Sequence, residues 1–228
     1  MIRRAFLAVV ATFAALAGAF AEEVDLALVL AVDSSGSVDA EEFALQRKGY
    51  AGALTHPDVL GAVRRGAVGA IAVAVVEWSG PSLRTVVVDW TRVSDQASAE
   101  TVAGKLLTLP RSIFGGGTAV GAAIDLGMET LAKCPFTAGR RTIDISGDGV
   151  NNRGRPPDLA RDEAMAQRVT INGLAIVEFG NDIEKYYRDH VIGGPGAFVI
   201  RADGFEDFAR AVRRKLVLEI AWVDDEAD

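Results

Sequence analysis

The sequence predicts an α/β fold: a doubly wound, mostly parallel six-stranded sheet with one antiparallel edge strand and helices on both faces. Three observations predict it. Short apolar runs alternate along the chain with segments of helical periodicity, the pattern of strands covered by helices. Gly69–Trp78 is apolar almost throughout, as a strand buried on both faces must be. Leu83–Trp90 follows it across Gly80-Pro81 with too few residues for a helical crossover, so it returns antiparallel and lies at a sheet edge.

The elements follow in order. The first strand is Asp25–Val32. Asp39-Ala40-Glu41-Glu42 then reads as a helix start, with Asp39 as cap and Glu42 reaching back. Phe43, Arg47, Tyr50 and Leu54 recur on one face of that helix, the Arg47 stem lying along it. His56-Pro57 ends the unit. After the two paired strands, Ser94–Leu107 reads as a helix, and Pro110 with Gly115-Gly116-Gly117 forms a loop. Thr118 caps a helix that carries Val120, Ile124, Met128 and Leu131 on one face. Arg141–Ser146 is a strand delivering Gly147-Asp148-Gly149. Pro156-Pro157 opens a helix running to Arg168. Thr170–Val177 is a strand, Asp182–Val191 a helix, Ala197–Arg201 a strand, and Phe205, Phe208, Val212 and Leu216 mark a last helix. No internal repeat or long linker divides the chain.

The two ends read differently. Arg3-Arg4, the apolar run Ala5–Ala17 and the small residues Ala19-Phe20-Ala21 make residues 1–21 a signal peptide, cleaved after Ala21. The run is shorter than the ~20 residues a spanning helix needs. Arg3-Arg4-Ala5-Phe6-Leu7 half-resembles a twin-arginine signal, but Ile2 and Ala8 depart from it, so general secretion is expected. Residues 222–228 read as an acidic, disordered tail. The expected location is periplasmic or secreted, with no membrane span after cleavage.

Composition excludes several function classes. The chain has 228 residues and a net charge of −7, and loss of Arg3 and Arg4 makes it more acidic, so no nucleic-acid partner is expected. Cys134 is the single cysteine, which excludes an internal disulfide and reads as a half-buried, inert thiol. With two histidines, a clustered zinc or copper site is not expected.

The chemistry gathers at strand ends. Asp33-Ser34-Ser35-Gly36-Ser37 directly follows the first strand and presents a carboxylate and two hydroxyls on alternate residues. In a doubly wound sheet, ligands bind at the carboxyl ends of strands where the winding reverses, between the strand that ends at Asp33 and the strand that ends at Asp148. The loop before Thr118 reaches the same place. Oxygen donors of this kind suit a hard divalent cation such as Mg²⁺ or Mn²⁺. Taken singly, Ser37 also reads as a neighbour of a helix start, Thr118 as a helix cap and Asp33 as a turn residue. Asn151 and Asn152 read as turn or cap residues, Ser34 as a backbone contributor to the rim, and Trp78 and Trp90 as packing residues. Glu77, inside an apolar strand, either pairs with a buried polar group or lies at the strand end in water.

Together, Asp-x-Ser-x-Ser, the Gly-Gly-Thr helix start and the strand-end Asp-Gly resemble the metal-ion-dependent adhesion site of von Willebrand factor A domains. The likeness extends to the order of elements, edge strand included, over residues 22–221. Trp78-Ser79-Gly80, Asp89-Trp90-Thr91 and Ser146–Asn152 look more specifically like a group of secreted bacterial A-domain proteins of unassigned function. The resemblance implies that Ser35, Ser37 and Thr118 hold Mg²⁺ or Mn²⁺ through hydroxyls, while Asp33 and Asp148 act through water or hydrogen bonds. It implies a protein partner that supplies an Asp or Glu, a monomer, and a last helix able to shift when ligand engages. One departure stands out: many A domains have Thr-Asp-Gly where this chain has Gly147-Asp148-Gly149.

Enzyme readings lack their residues. His56 and His190 lie away from the strand-end cluster, no Gly-x-Ser-x-Gly elbow occurs, and Gly115-Gly116-Gly117-Thr118 lacks the lysine of a phosphate loop. The sequence is therefore read as a non-enzyme. A metal-dependent phosphotransferase or hydrolase using Asp33, and a metal-free interaction module, remain as alternatives.

Overall fold

In a computed structural model, residues 21–178 and 182–221 are described. The leader expected over 1–21, Ala21 apart, and the tail expected over 222–228 lie outside the described residues. Six strands form one sheet: β1 (Glu23–Asp33), β2 (Ile71–Trp78), β3 (Arg84–Val93), β4 (Thr137–Gly147), β5 (Thr170–Ile176) and β6 (Val199–Ala202). Their order is β3-β2-β1-β4-β5-β6. Only the β2–β3 pair is antiparallel, with β3 at the edge. Winding reverses between β1 and β4, where Ala31 pairs with Ile145 and Val32 with Ser146.

The alternation of β1 builds both cores. Leu26, Leu28, Leu30 and Val32 face one side, against helices α1 (Ala40–Leu54), α2 (Pro57–Arg65), α3 (Gln96–Thr108) and α7 (Phe208–Ala221). Ala27, Val29 and Ala31 face the other, against α4 (Val120–Leu131), α5 (Pro157–Ala166) and α6 (Ile183–Tyr186) with its π-helical continuation Tyr187–Val191. Every residue of β2 is buried, as its apolar run requires.

The capping box at Asp39 and Glu42 is present, and Phe43, Arg47, Tyr50 and Leu54 are buried on one face of α1. His56-Pro57, read as the end of that unit, instead opens α2. His56 Nδ1 accepts from Asp58 N, Pro57 occupies the first turn, and Arg64 and Arg65 close the helix. Thr118 is not the cap of α4. The cap position is Ala119, whose own side chain makes no capping hydrogen bond. The helix expected to run to about Arg168 ends at Ala166, just before Arg168 takes a left-handed φ of 58°. The expected helix over Asp182–Val191 widens into π geometry from Tyr187 onward. A 3₁₀ turn (Phe205–Asp207) precedes α7. Cys134 is unpaired and half-buried, and burial raises its thiol pKa. No helix among the described residues is long and apolar enough to cross a membrane.

Candidate functional site

Three loops meet where β1 and β4 end. Asp33 closes β1, fully buried, and its Oδ1 accepts from Ser35 N at 2.7 Å. This short turn points Ser35 and Ser37 the same way, and their hydroxyl oxygens lie 3.0 Å apart. Ser37 then donates to Asp148 Oδ1 at 2.9 Å, joining the loop after β1 to the loop after β4. Thr118 comes from the third loop and is 5% exposed. A Cβ on Gly149 would stand 3.4 Å from its Oγ1, which puts the hydroxyl beside Asp148. All five residues singled out from the sequence therefore lie in one locality.

The glycine loop makes this approach possible. Gly115 and Gly116 have φ of 70° and 96°, left-handed conformations that side chains disfavour. Gly116 O accepts from Gly36 N, between the two serines. Ser79 Oγ lies 2.6 Å from Gly115 O and 2.9 Å from Gly117 O, bracing the loop from the end of β2. Asn152 fixes Thr118 from the opposite side. Its Oδ1 accepts from Thr118 N at 2.9 Å and its N donates to Thr118 O at 2.8 Å. Asn151 Oδ1 accepts from Gly121 N in the first turn of α4. Both asparagines thus have the turn and cap duty read from the sequence. Ser34 is buried: its hydroxyl donates to Ile113 O, while its backbone N donates to Trp78 O and its carbonyl accepts from Arg111.

Two arginines that carry no motif hold the loops together. Arg111 donates from Nη2 to Ser34 O (2.9 Å), from Nη1 to Val38 O (3.0 Å) and from Nε to Ile113 O (2.7 Å). Arg47 Nη2 pairs with Glu77 Oε1 at 2.7 Å, and Glu77 Oε2 accepts from Ser112 N at 2.8 Å. Glu77 therefore follows the first of its two readings, a buried carboxylate paired within the fold. Arg111 gives no sequence signal, because its value lies in meeting carbonyls more than 70 positions away.

Electrostatically the site pairs a fully buried carboxylate, Asp33, with a half-buried one, Asp148, beside the exposed Ser37. Burial, and then the Asp148 charge, push the Asp33 carboxyl up to about 7, and burial also raises Asp148. Asp33 Oδ2 is buried without a hydrogen-bond partner. Three neutral hydroxyls and two carboxylates offer only hard oxygen donors, and among the described residues no group of three or more His, Cys, Asp or Glu gathers as an alternative. The donor set fits a divalent cation.

The sheet order, the lone antiparallel edge and the loops at the switch point define a von Willebrand factor A fold, and solved structures of that class match it. The von Willebrand factor type A structure from Catenulispora acidiphila has TM-score 0.58 at 18% identity, covering 87% of this chain and 43% of that one. The vWF domain of the type V pili tip protein Mfa5 from Porphyromonas gingivalis has TM-score 0.56 at 10% identity, covering 90% and 99%. Proximal thread matrix protein 1 from the mussel byssus, in a structure with a zinc-occupied MIDAS motif, has TM-score 0.60 at 17% identity, covering 88% and 46%. The chain thus spans about half the length of the mussel protein. No curated protein sequence matches the chain. The chain belongs to the DUF1194 family, a family of unknown function whose model matches residues 23–224.

Proposed function

We propose that this chain is an exported binding module, acting as a monomer in the periplasm or outside the cell. It engages a protein partner through a divalent cation held at Asp33, Ser35, Ser37, Thr118 and Asp148, and the partner supplies an Asp or Glu. The observation that carries the reading is the run Ser35–Ser37–Asp148, joined oxygen to oxygen beside the buried Asp33 carboxylate. Mg²⁺ or Mn²⁺ suits these donors best. The zinc in the mussel protein's motif supports a divalent ion at such a site.

A bound cation supplies an open coordination position whose positive charge is largely unspent by neutral ligands. The residues do the rest. Ser35, Ser37 and Thr118 offer hydroxyl oxygens. Asp148 accepts from Ser37 and orients it, and Asp33 orients the loop through Ser35 N. Helices α1 and α4 both start beside the site and add positive partial charge toward an incoming carboxylate. Around it, Leu83, Phe114 and Val150 are exposed apolar side chains on three different loops, a surface suited to protein. Asp33 as a nucleophile is disfavoured, since its carboxylate is fully buried and one oxygen is held by Ser35 N.

Calorimetric titration of Mg²⁺ and Mn²⁺ into the metal-stripped chain, beside Asp33→Ala, tests the reading. One saturable ion per chain, lost in the variant and bound more tightly when acetate is added, is the expected result. Absence of binding even with acetate rejects the metal site and leaves a metal-free interaction module.

A further inference from the structure

Gly147 sits between two buried oxygens that have no hydrogen-bond partner. A Cβ built on it would stand 2.6 Å from the Tyr187 hydroxyl and 2.8 Å from Asp33 Oδ2, with Trp78 Cζ2 at 3.3 Å. Tyr187 OH, Asp33 Oδ2 and Trp78 Nε1 are all buried and unpartnered. Orphaned polar atoms are costly and seldom gather by chance around one point. The missing side chain at 147 is what lets the tyrosine reach in. Any larger residue there meets the hydroxyl first. The departure from Thr-Asp-Gly and the presence of Tyr187 are therefore two halves of one arrangement.

We propose that Tyr187 is a positioning residue for Asp33: its hydroxyl donates to Asp33 Oδ2, directly or through one water, and keeps that carboxylate in the outer ring of the site. The inference rests on the metal-site reading. With Oδ1 held by Ser35 N and Oδ2 by Tyr187, Asp33 spends its charge on hydrogen bonds and leaves the hydroxyls to face the ion. The local backbone serves the same end. Tyr187 opens the π turn, a geometry found often at functional sites, while the hydroxyl of the preceding Tyr186 accepts from Asn151 N at 3.1 Å. One tyrosine braces the loop after β4 and the next braces the carboxylate inside it.

The test is Tyr187→Phe in the full chain. Outer-shell partners commonly contribute about 10- to 100-fold to metal affinity, so Mn²⁺ should bind at least about tenfold more weakly. The variant removes one donor from a buried carboxylate, so the melting temperature without metal should fall modestly while unfolding stays cooperative. In the wild type, Mg²⁺ should shift the tyrosine Raman doublet toward a stronger donor, and the variant should lack that response. Unchanged Mn²⁺ affinity, or a wild-type tyrosine Raman doublet that does not respond to Mg²⁺, overturns the inference. If Tyr187→Phe does not fold, the wild-type Raman response decides alone, and its absence overturns the inference. Failure of the metal-site reading looks different: the wild type then binds no Mn²⁺, or binds it no better than Asp33→Ala.

Discussion

At the scale of residues, site architecture depends as much on side chains that touch no ligand as on those that do. Arg111 is the clearest case. Its guanidinium reaches carbonyls on both sides of the Asp-x-Ser-x-Ser loop and stacks 4.7 Å from the Phe43 ring and 5.6 Å from Phe114. Arg111→Ala leaves several part-buried carbonyls unsatisfied. It should cost about 2 kcal/mol in urea unfolding and weaken Mn²⁺ binding as well, whereas substitution of the exposed Arg64 should do neither. The five oxygen-bearing residues were legible in the sequence, because their spacing is a local property of two strand ends and one helix start. Arg111, Ser79 and Tyr187 were not. Their partners lie far away along the chain, and nothing next to them announces the meeting. Glu77 was legible only as an anomaly: an acid in an apolar strand needs a partner, but its neighbours do not say which.

At the scale of elements, α7 is fastened to β4 by charge as well as by packing. Lys215 Nζ lies 2.8 Å from Asp144 Oδ1 and also pairs with Glu219 Oε1, all with fully buried side chains. Asn172 Nδ2 donates to the same Glu219 oxygen at 2.9 Å. Any shift of α7, the helix expected by resemblance to move, draws Lys215 away from Asp144 on the strand that ends at the site. One cation faces two acids, so burial pushes Asp144 from its ordinary 3.8 up to about 7, partly opposed by Lys215. A carboxyl whose pKa is raised by folding binds its proton more tightly in the native state. Its stabilising contribution is present below about 4 and is lost as pH rises through about 7. Asp144→Asn should therefore flatten the fall in stability between those limits, which denaturant titration at a series of pH values reads directly. Strand order, edge strand and most helices were legible from apolar periodicity. Helix α2 was missed because His56-Pro57 looks like a stop, yet Pro at a first turn opens a helix as readily as it closes one. Thr118 reads as a cap from its residue type, but Ala119 takes the cap position and Thr118 stands one residue before it.

At the scale of the whole molecule, the site end of the sheet is the apolar-rimmed end. Phe114 is 76% exposed, four residues before Thr118, and the Leu83 side chain would be 2.9 Å from a Cβ on Gly116. Phe114→Ser should leave Mn²⁺ affinity unchanged and weaken by about tenfold the binding of an Asp-containing peptide with flanking aromatic residues. Calorimetry of ion and peptide in turn separates the two effects. The opposite end is where the described chain enters and leaves. Thr137 N donates to Glu22 O, and Arg140 donates to Glu219 O and Ile220 O at 2.9 and 3.0 Å, so β1 begins and α7 finishes beside the start of β4. Asp33 lies at the far end of β1 from that point. A load applied between a ligand at the site and an attachment at either of these positions acts along the strands. The parallel pairings of β1 with β2 and β4 then resist in shear, with their hydrogen bonds strained together, instead of unzipping one after another.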